Sequence, residues 1–328
     1  MTDSDPKGPP RFTRRALLRV GATTAAAAAT VASGLLLLDR DTGLPRHDLV
    51  KVRDHRVALP AGGTQMAIVR GKSPTENVKR AVEALGGMGV FIRPGEKVVI
   101  KPNVGWNRLP EQAADTNPEL VTAVVRMAFA AGASKVWVTD APVNNADTCF
   151  DRSGIRAAVG AAGGTLVMPT ANNFREAEIG GELLRVGDVL YPFVEADKVI
   201  NLPIAKQHSL CGATLSMKNW YGMLGGHRVR LHQDIQKSIV ELALMAKPTL
   251  SILDATRVLL ANGPSGGSVD DVKQLDTIAA SVDEVALDAF GATLLGKNPA
   301  ELGYIAMAEK AMHGQADFRR LKLVEISA

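Results

Sequence analysis

From residue 64 onward the chain alternates short apolar runs with amphipathic stretches. Residues 64–70, 97–101 (KVVIK), 135–139 (KVWVT), 165–168, 197–202 (DKVINL), 249–253, 275–280 and 321–326 are apolar runs of strand length. Between them, residues 74–85, 117–131, 153–162, 234–246, 282–295 and 299–313 carry apolar positions at helical spacing. In the second of these, Leu120, Val121, Val124, Val125, Ala128 and Phe129 share one face. Ser73 before Pro74, and Thr116 or Asn117 before Pro118, read as N-caps, while Gly86-Gly87 and Gly132 read as stops. Residues 171–192 are less regular, and Gly180-Gly181 marks a hairpin turn. Strand–helix–strand order with short connections needs crossovers, and crossovers make parallel sheets. The predicted fold class is α/β: a doubly wound, mostly parallel sheet, with two lobes (64–195 and 196–328) and the site between them. Residues 39–63 are Pro/Gly-punctuated and read as a linker with one short strand.

The first 38 residues follow another rule. Thr13-Arg14-Arg15-Ala16-Leu17-Leu18-Arg19 precedes an apolar run over 20–38 with no polar face. This is the pattern of a twin-arginine export signal. The run is 19 residues, long enough to cross a bilayer, so it is expected either to be removed or to stay as an N-terminal anchor. The chain is then expected in the periplasm or anchored on the outer side of the cytoplasmic membrane. The segment 1–38 holds five of the 38 Lys/Arg and two of the 34 Asp/Glu, which leaves 33 basic and 32 acidic residues. The remainder is nearly neutral and the chain is 4% aromatic, so nucleic acid is not an expected partner. Two cysteines, Cys149 and Cys211, are too few for an iron–sulfur cluster; a disulfide and two separate thiols both stay open.

Candidate chemistry concentrates after the apolar run 197–202, where a loop is expected to begin. Lys206, His208, Ser209, Lys218, Asn219 and His227 follow within about two dozen residues, with Gly222 among them. Lys101, Asn103, Asp140 and Asp254 stand at the carboxyl ends of other predicted strands. In open α/β sheets ligands bind outside those ends. Converging lysines favour an anionic ligand, a carboxylate or a phosphate, and a desolvated lysine can act as a base. Lys206, Lys218 and His208 are therefore read as catalytic, His208 as the proton shuttle because an ordinary imidazole titrates near pH 6.5. Lys101, Asn103, Asn219, Ser209 and Gly222 are read as substrate-binding. Asp140, His227 and Asp254 are candidate metal ligands, although no histidine pair has the helical spacing of a zinc protease. Gly263-Pro264-Ser265-Gly266-Gly267 matches G-x-S-x-G but lacks a strand directly before it, and reads as a loop closing over the site.

These residues resemble the domain of unknown function 362 family. The resemblance runs through Lys101-Pro102-Asn103, Thr116-Asn117-Pro118, Ala131-Gly132-Ala133 with Asp140, and most specifically Asn201-Leu202-Pro203, Lys206, His208, Lys218-Asn219 and Gly222. Asp254, Gly263-Pro264 and Asp288 complete it over roughly 98–295. Some members of that family carry an appended ferredoxin-like segment; its cysteines are missing here, so an iron–sulfur cluster is not implied. Asp197-Lys198-Val199-Ile200, His208 and Lys218 are also similar to the nickel-pincer lactate racemase family, whose Gly-Gly-x-Lys order this chain does not reproduce. The expected function is an exported enzyme acting on a small anionic substrate by Lys/His acid–base chemistry. The alternatives are a binding or maturation protein holding a metal, cofactor or ligand without turnover, and an assembly partner at the membrane anchored through 20–38. The family resemblance names no reaction.

Overall fold

The computed structural model describes residues 49–226 and 228–327. The paired arginines, the apolar run 20–38 and His227 lie outside the described residues. The strands are β1 (Val50–Lys51), β2 (Met66–Arg70), β3 (Lys97–Pro102), β4 (Lys135–Val138), β5 (Thr165–Leu166), β6 (Phe174–Glu178), β7 (Val186–Leu190), β8 (Lys198–Leu202), β9 (Ile204–His208), β10 (Gly212–Thr214), β11 (Leu250–Leu259), β12 (Val272–Ser281) and β13 (Leu323–Ser327). The helices that frame the sheet and the site are α1 (Pro74–Ala84), α2 (Pro118–Ala130), α3 (Ala146–Arg152), α4 (Ile155–Ala161), α5 (Ser216–Asn219), α6 (Ile235–Ala246), α7 (Glu284–Leu294) and α8 (Gly303–Lys310).

A ten-stranded sheet runs in the order β13-β2-β12-β11-β8-β3-β4-β5, with β9 paired to β11 and β10 to β9. Among its described strands β12 and β10 run antiparallel to their neighbours and the other pairs are parallel. Strand pleating sends neighbouring residues to opposite faces. Val99 packs in one core with α6, α7 and α8, while Val98 and Ile100 pack in a second core with α1, α2 and α4. A mostly parallel sheet buried on both faces by helices is the doubly wound α/β architecture. Both halves of the chain feed this one sheet: β2 lies between β12 and β13. A second sheet, β1-β6-β7, contains the hairpin that turns through Gly180, at φ 76°.

The caps are where the sequence pattern puts them. Ser73 accepts from the Glu76 amide at 3.2 Å and Asn117 from the Glu119 amide at 3.0 Å. Each such cap is worth about 1 kcal/mol.

Four elements differ from the sequence reading. Past Pro203 the chain does not enter a loop: β9 and β10 form a hairpin, so Lys206 and His208 are strand residues. Only Ile204 and Ala205 are apolar in β9, and backbone pairing to β11 holds it rather than an apolar pattern. β11 runs on to Leu259 and carries Asp254 in its interior, because that carboxylate is satisfied by the Thr256 hydroxyl and amide nearby and by the Asn117 amide from a distant part of the chain. The helix expected over 153–162 is α4, which starts only after Gly154 at φ 76°, and a further helix not expected from the sequence, α3, precedes that turn. The helix expected over 299–313 is regular only in α8.

β3 is followed by β4 and β5 on one side, while β8 and β11 lie on its other side. The strand order therefore reverses between β3 and β8. That is the switch point at which open α/β sheets leave a crevice. Cys149 and Cys211 are free, buried, and belong to different cores. Among the described residues no helix is long and apolar enough to cross a membrane.

Candidate functional site

A cavity of about 500 Å³ opens at this switch point. Its floor is a buried polar chain. Lys101, at the end of β3, is completely buried, and its ammonium has three acceptors. They are Asp140 Oδ1 at 2.7 Å, the Pro102 carbonyl at 3.0 Å and Asn219 Oδ1 at 3.2 Å. An ammonium has three N–H groups, so Lys101 has none left for a substrate. Asp140 is equally occupied: the Val104 amide donates to Oδ2 at 2.6 Å and the Ala141 amide to Oδ1 at 3.0 Å. Burial pushes the Lys101 pKa down while Asp140 opposes the shift. Lys101 and Asp140 form a structural ion pair rather than a substrate contact and a metal ligand.

Asn219 is the hub of the chain. Its carbonyl oxygen accepts from Lys101 and, at 2.9 Å, from Asn103 Nδ2. Its amide nitrogen donates to Asn201 Oδ1 at 2.8 Å and to the Lys101 carbonyl at 3.2 Å. Asn201 passes the network on to Glu284, which also accepts from the Trp220 indole. All four bonding positions of Asn219 are used, so it positions its neighbours rather than a ligand. Asn103 links it to Lys206, which donates to Asn103 Oδ1 at 2.9 Å and to the Ala114 carbonyl at 2.5 Å. The third N–H of Lys206 has no partner among the described residues. Behind it lies Asp115, buried, with Oδ1 taking the Trp106 amide and Oδ2 taking no partner among the described residues. Burial drives this pair toward neutrality: it raises Asp115 and lowers Lys206, and each charge opposes the shift of the other.

Gly222 does not contact a ligand through a side chain; it makes room. A Cβ there would lie 1.7 Å from Asp140 Oδ1 and 2.8 Å from Lys101 Nζ. Its carbonyl accepts from the Ala141 amide at 2.7 Å. Only glycine lets this backbone rest on the ion pair.

Lys218 differs from the other lysines. It leaves α5 into the cavity wall with 8% of its surface exposed. Among the described residues its ammonium has no carboxylate and no hydrogen-bond acceptor. It sits 3.3 Å from the centre of the Tyr221 ring, whose hydroxyl is fixed to the Leu231 carbonyl. Burial, with Lys206, Arg228 and Lys101 nearby, brings its pKa down to about 7. Arg228 also lines the cavity and donates to the Ala141, Tyr221 and Pro142 carbonyls.

His208 is not the proton shuttle expected from an ordinary imidazole. Its Nδ1 accepts the Leu210 amide at 3.1 Å and faces the Cys211 amide at 3.5 Å. That assigns the ring hydrogen to Nε2. Burial, then Lys218 and Lys206, push its pKa down to about 3. Near pH 7 the ring is neutral, a hydrogen-bond donor to the cavity and a poor base. Ser209 is exposed at the rim on the β9–β10 turn. Asp254 does not line the cavity: the Asn117 amide and Thr256 take its oxygens, so it is not placed to share a metal with Asp140. Among the described residues no three His, Cys, Asp or Glu side chains converge as a metal site.

Sequence reasoning passed over Tyr221, Arg228 and Asp115. Nothing periodic marks the first two, while Asp115 stands directly before the Thr116-Asn117-Pro118 motif used only as a cap.

The chain belongs to the family described as domain of unknown function (DUF362), whose pattern matches residues 98–293. That span contains every cavity residue discussed above. A curated relative, the thylakoid-associated protein sll1697 of Synechocystis, is 30% identical over 243 residues, covering 71% of this chain and 74% of the relative. Among solved structures, the lactate racemase apoprotein of Thermoanaerobacterium thermosaccharolyticum aligns with 74% of this chain and 58% of its own, at a TM-score of 0.39 and 14% identity. A Thermotoga maritima protein aligns with 74% of this chain and 60% of its own, at a TM-score of 0.38 and 8% identity.

Proposed function

We propose that the protein is an enzyme that binds a small anion, a carboxylate or a phosphate, and moves a proton on it. The observation that carries this reading is the Lys218 ammonium, held in the cavity without a counter-charge among the described residues. Lys101 is cancelled by Asp140, and Lys206 faces Asp115, so Lys218 and Arg228 leave the wall positive. A bound anion supplies the missing charge. A lysine with a pKa of about 7 carries comparable amounts of acid and base form at neutral pH, as general acid–base catalysis requires. Lys218 is thus the acid–base group. The Nε2–H of His208 orients the substrate by a neutral hydrogen bond, and the remaining N–H of Lys206 offers a second contact to the anion.

The experiment is proton NMR in D2O with a panel of small carboxylates and phosphate esters. The reading expects one class to lose a carbon-bound proton signal or form a product with the native protein, and not with Lys218→Met. Stoichiometric binding with neither exchange nor product, across the panel, favours the non-catalytic holder instead. That second reading has its own support: His208 is fixed as a donor, which serves recognition as well as turnover.

Export is part of the proposal. It is supported by Arg14-Arg15 with the apolar run 20–38, and it agrees with a relative described as thylakoid-associated. Fractionation of the tagged full chain tests it: Arg14→Lys with Arg15→Lys must hold the protein in the cytoplasm.

A further inference from the structure

The cavity has two chemically different ends. Its wall carries Lys206 and Lys218, both buried. Its rim carries apolar side chains beside the polar Ser209 and His232: Val143 and Leu210 each line the cavity while 63% exposed, and Trp106 and Pro264 line it half-buried. Single exposed apolar residues need no explanation, but these four line one cavity together with two buried lysines.

The rim is also held in place. The Val143 amide donates to the Gly105 carbonyl at 3.0 Å, which ties the 141–145 segment to the loop bearing Trp106. Arg108 donates to the Ser265 carbonyl at 3.0 Å, which ties that loop to the one bearing Pro264. Leu210 stands on the β9–β10 turn, where its amide donates to His208 Nδ1. The apolar tip and the tautomer of His208 are set by the same turn.

Volume points the same way. About 500 Å³ lies in the range of sites for drug-sized ligands. At ~30 Å³ per water-sized group, acetate or inorganic phosphate fills only a minor part of it.

Building on the anion-binding reading, we infer that the ligand is an amphiphile: an anionic head on Lys218 and an unbranched or ring-bearing apolar tail that leaves between Trp106, Val143, Leu210 and Pro264. Head and tail act on separate groups. The head sets the requirement for Lys218, and the tail sets selectivity by the apolar area it covers at the rim.

The test is a chain-length series, measured by calorimetry at pH 6 on the folded full chain. The probes are acetate, butyrate, hexanoate and octanoate, with the matching linear alkyl phosphates in parallel. Burial of each methylene is expected to tighten binding by up to about fourfold until the tail clears the rim, after which the series levels off. In the double variant Val143→Ser, Leu210→Ser the gain per methylene shrinks, and in Lys218→Met both series weaken throughout. Melting curves of the variants confirm that they are folded. Equal affinity along the series, with binding still dependent on Lys218, overturns the amphiphile and leaves the anion reading standing. A full chain-length gain in the rim variant overturns the placement of the tail. No binding in either series overturns both.

Discussion

Replacing Lys218 with methionine is expected to stabilise the protein at pH 6. The fold holds the Lys218 pKa at about 7, against 10.5 for an ordinary lysine. At about 1.36 kcal/mol per pKa unit, the charged form in its folded setting costs at most roughly 5 kcal/mol. The Tyr221 face, 3.3 Å from the ammonium, returns up to about 2 kcal/mol of cation–π attraction, which methionine gives up. Methionine keeps most of the packing of the stem and brings no charge. The net gain is on the order of 2–4 kcal/mol. At roughly 2 °C per kcal/mol for a chain of this size, Tm rises by about 4–8 °C.

The sign with pH follows from the direction of the shift. The unfolded chain binds the extra proton between about pH 7 and 10.5, so native stability climbs with pH across that window. The advantage of the variant is therefore complete below pH 7 and fades toward pH 10. Urea unfolding of both proteins at pH 6, 8 and 9.5 measures it. A variant no more stable than the native protein at pH 6, or an advantage that ignores pH, refutes the reasoning. Under the proposed function, Lys218 is kept at the expense of stability, the trade-off expected of an active site.

The remaining expectations concern the floor and the imidazole. Lys101→Met leaves Asp140 buried without its cation and is expected to cost about 3–5 kcal/mol in urea unfolding. Gly222→Ala drives a methyl group into the same pair and is expected to lower stability by a similar few kcal/mol, read from the urea midpoint. Asn219→Ala removes a four-bond hub and is expected to cost about 1–3 kcal/mol per partner left unsatisfied, measured the same way. For His208, nitrogen-15 NMR is expected to show a neutral ring with hydrogen on Nε2 down to about pH 4. Its folded pKa of about 3 lies below the ordinary 6.5, so its contribution to stability is present above pH 6.5 and lost as pH falls toward 3. An imidazole titrating near pH 6.5 contradicts the assignment.

Much of the fold was legible because strands buried on both sides read as continuous apolar runs. KVVIK and DKVINL are such runs, and they became β3 and β8. Asn117 and Ser73 were legible as caps because a short polar side chain before proline has one dominant use. The β9–β10 hairpin was not legible. Its strands carry Lys206, Gln207 and His208, and they are held by backbone bonds and by polar partners distant in sequence. Asp254 was misplaced at a strand end for the same reason: a buried carboxylate inside a strand depends on Asn117, far away along the chain.

Most of the polar residues that line the cavity were legible as a cluster, and the bonding of each was not. Lys101, Lys206 and Lys218 are one residue type in one cluster. Separating them takes the count of acceptors around each ammonium: three for Lys101, two for Lys206 and none for Lys218 among the described residues. His208 likewise looked like a base until the Leu210 amide fixed its tautomer.

Calorimetric titration of acetate, octanoate and inorganic phosphate into the native protein and Lys218→Met, from pH 6 to 9, tests the central claim most directly. The account predicts that the native protein binds one of these anions at pH 6 and that affinity falls once the pH passes the pKa Lys218 has in the complex. It predicts at least about tenfold weaker binding by the variant, with little pH dependence, as loss of a charged hydrogen bond implies. Equal affinity in the two proteins, with the same pH profile, contradicts it.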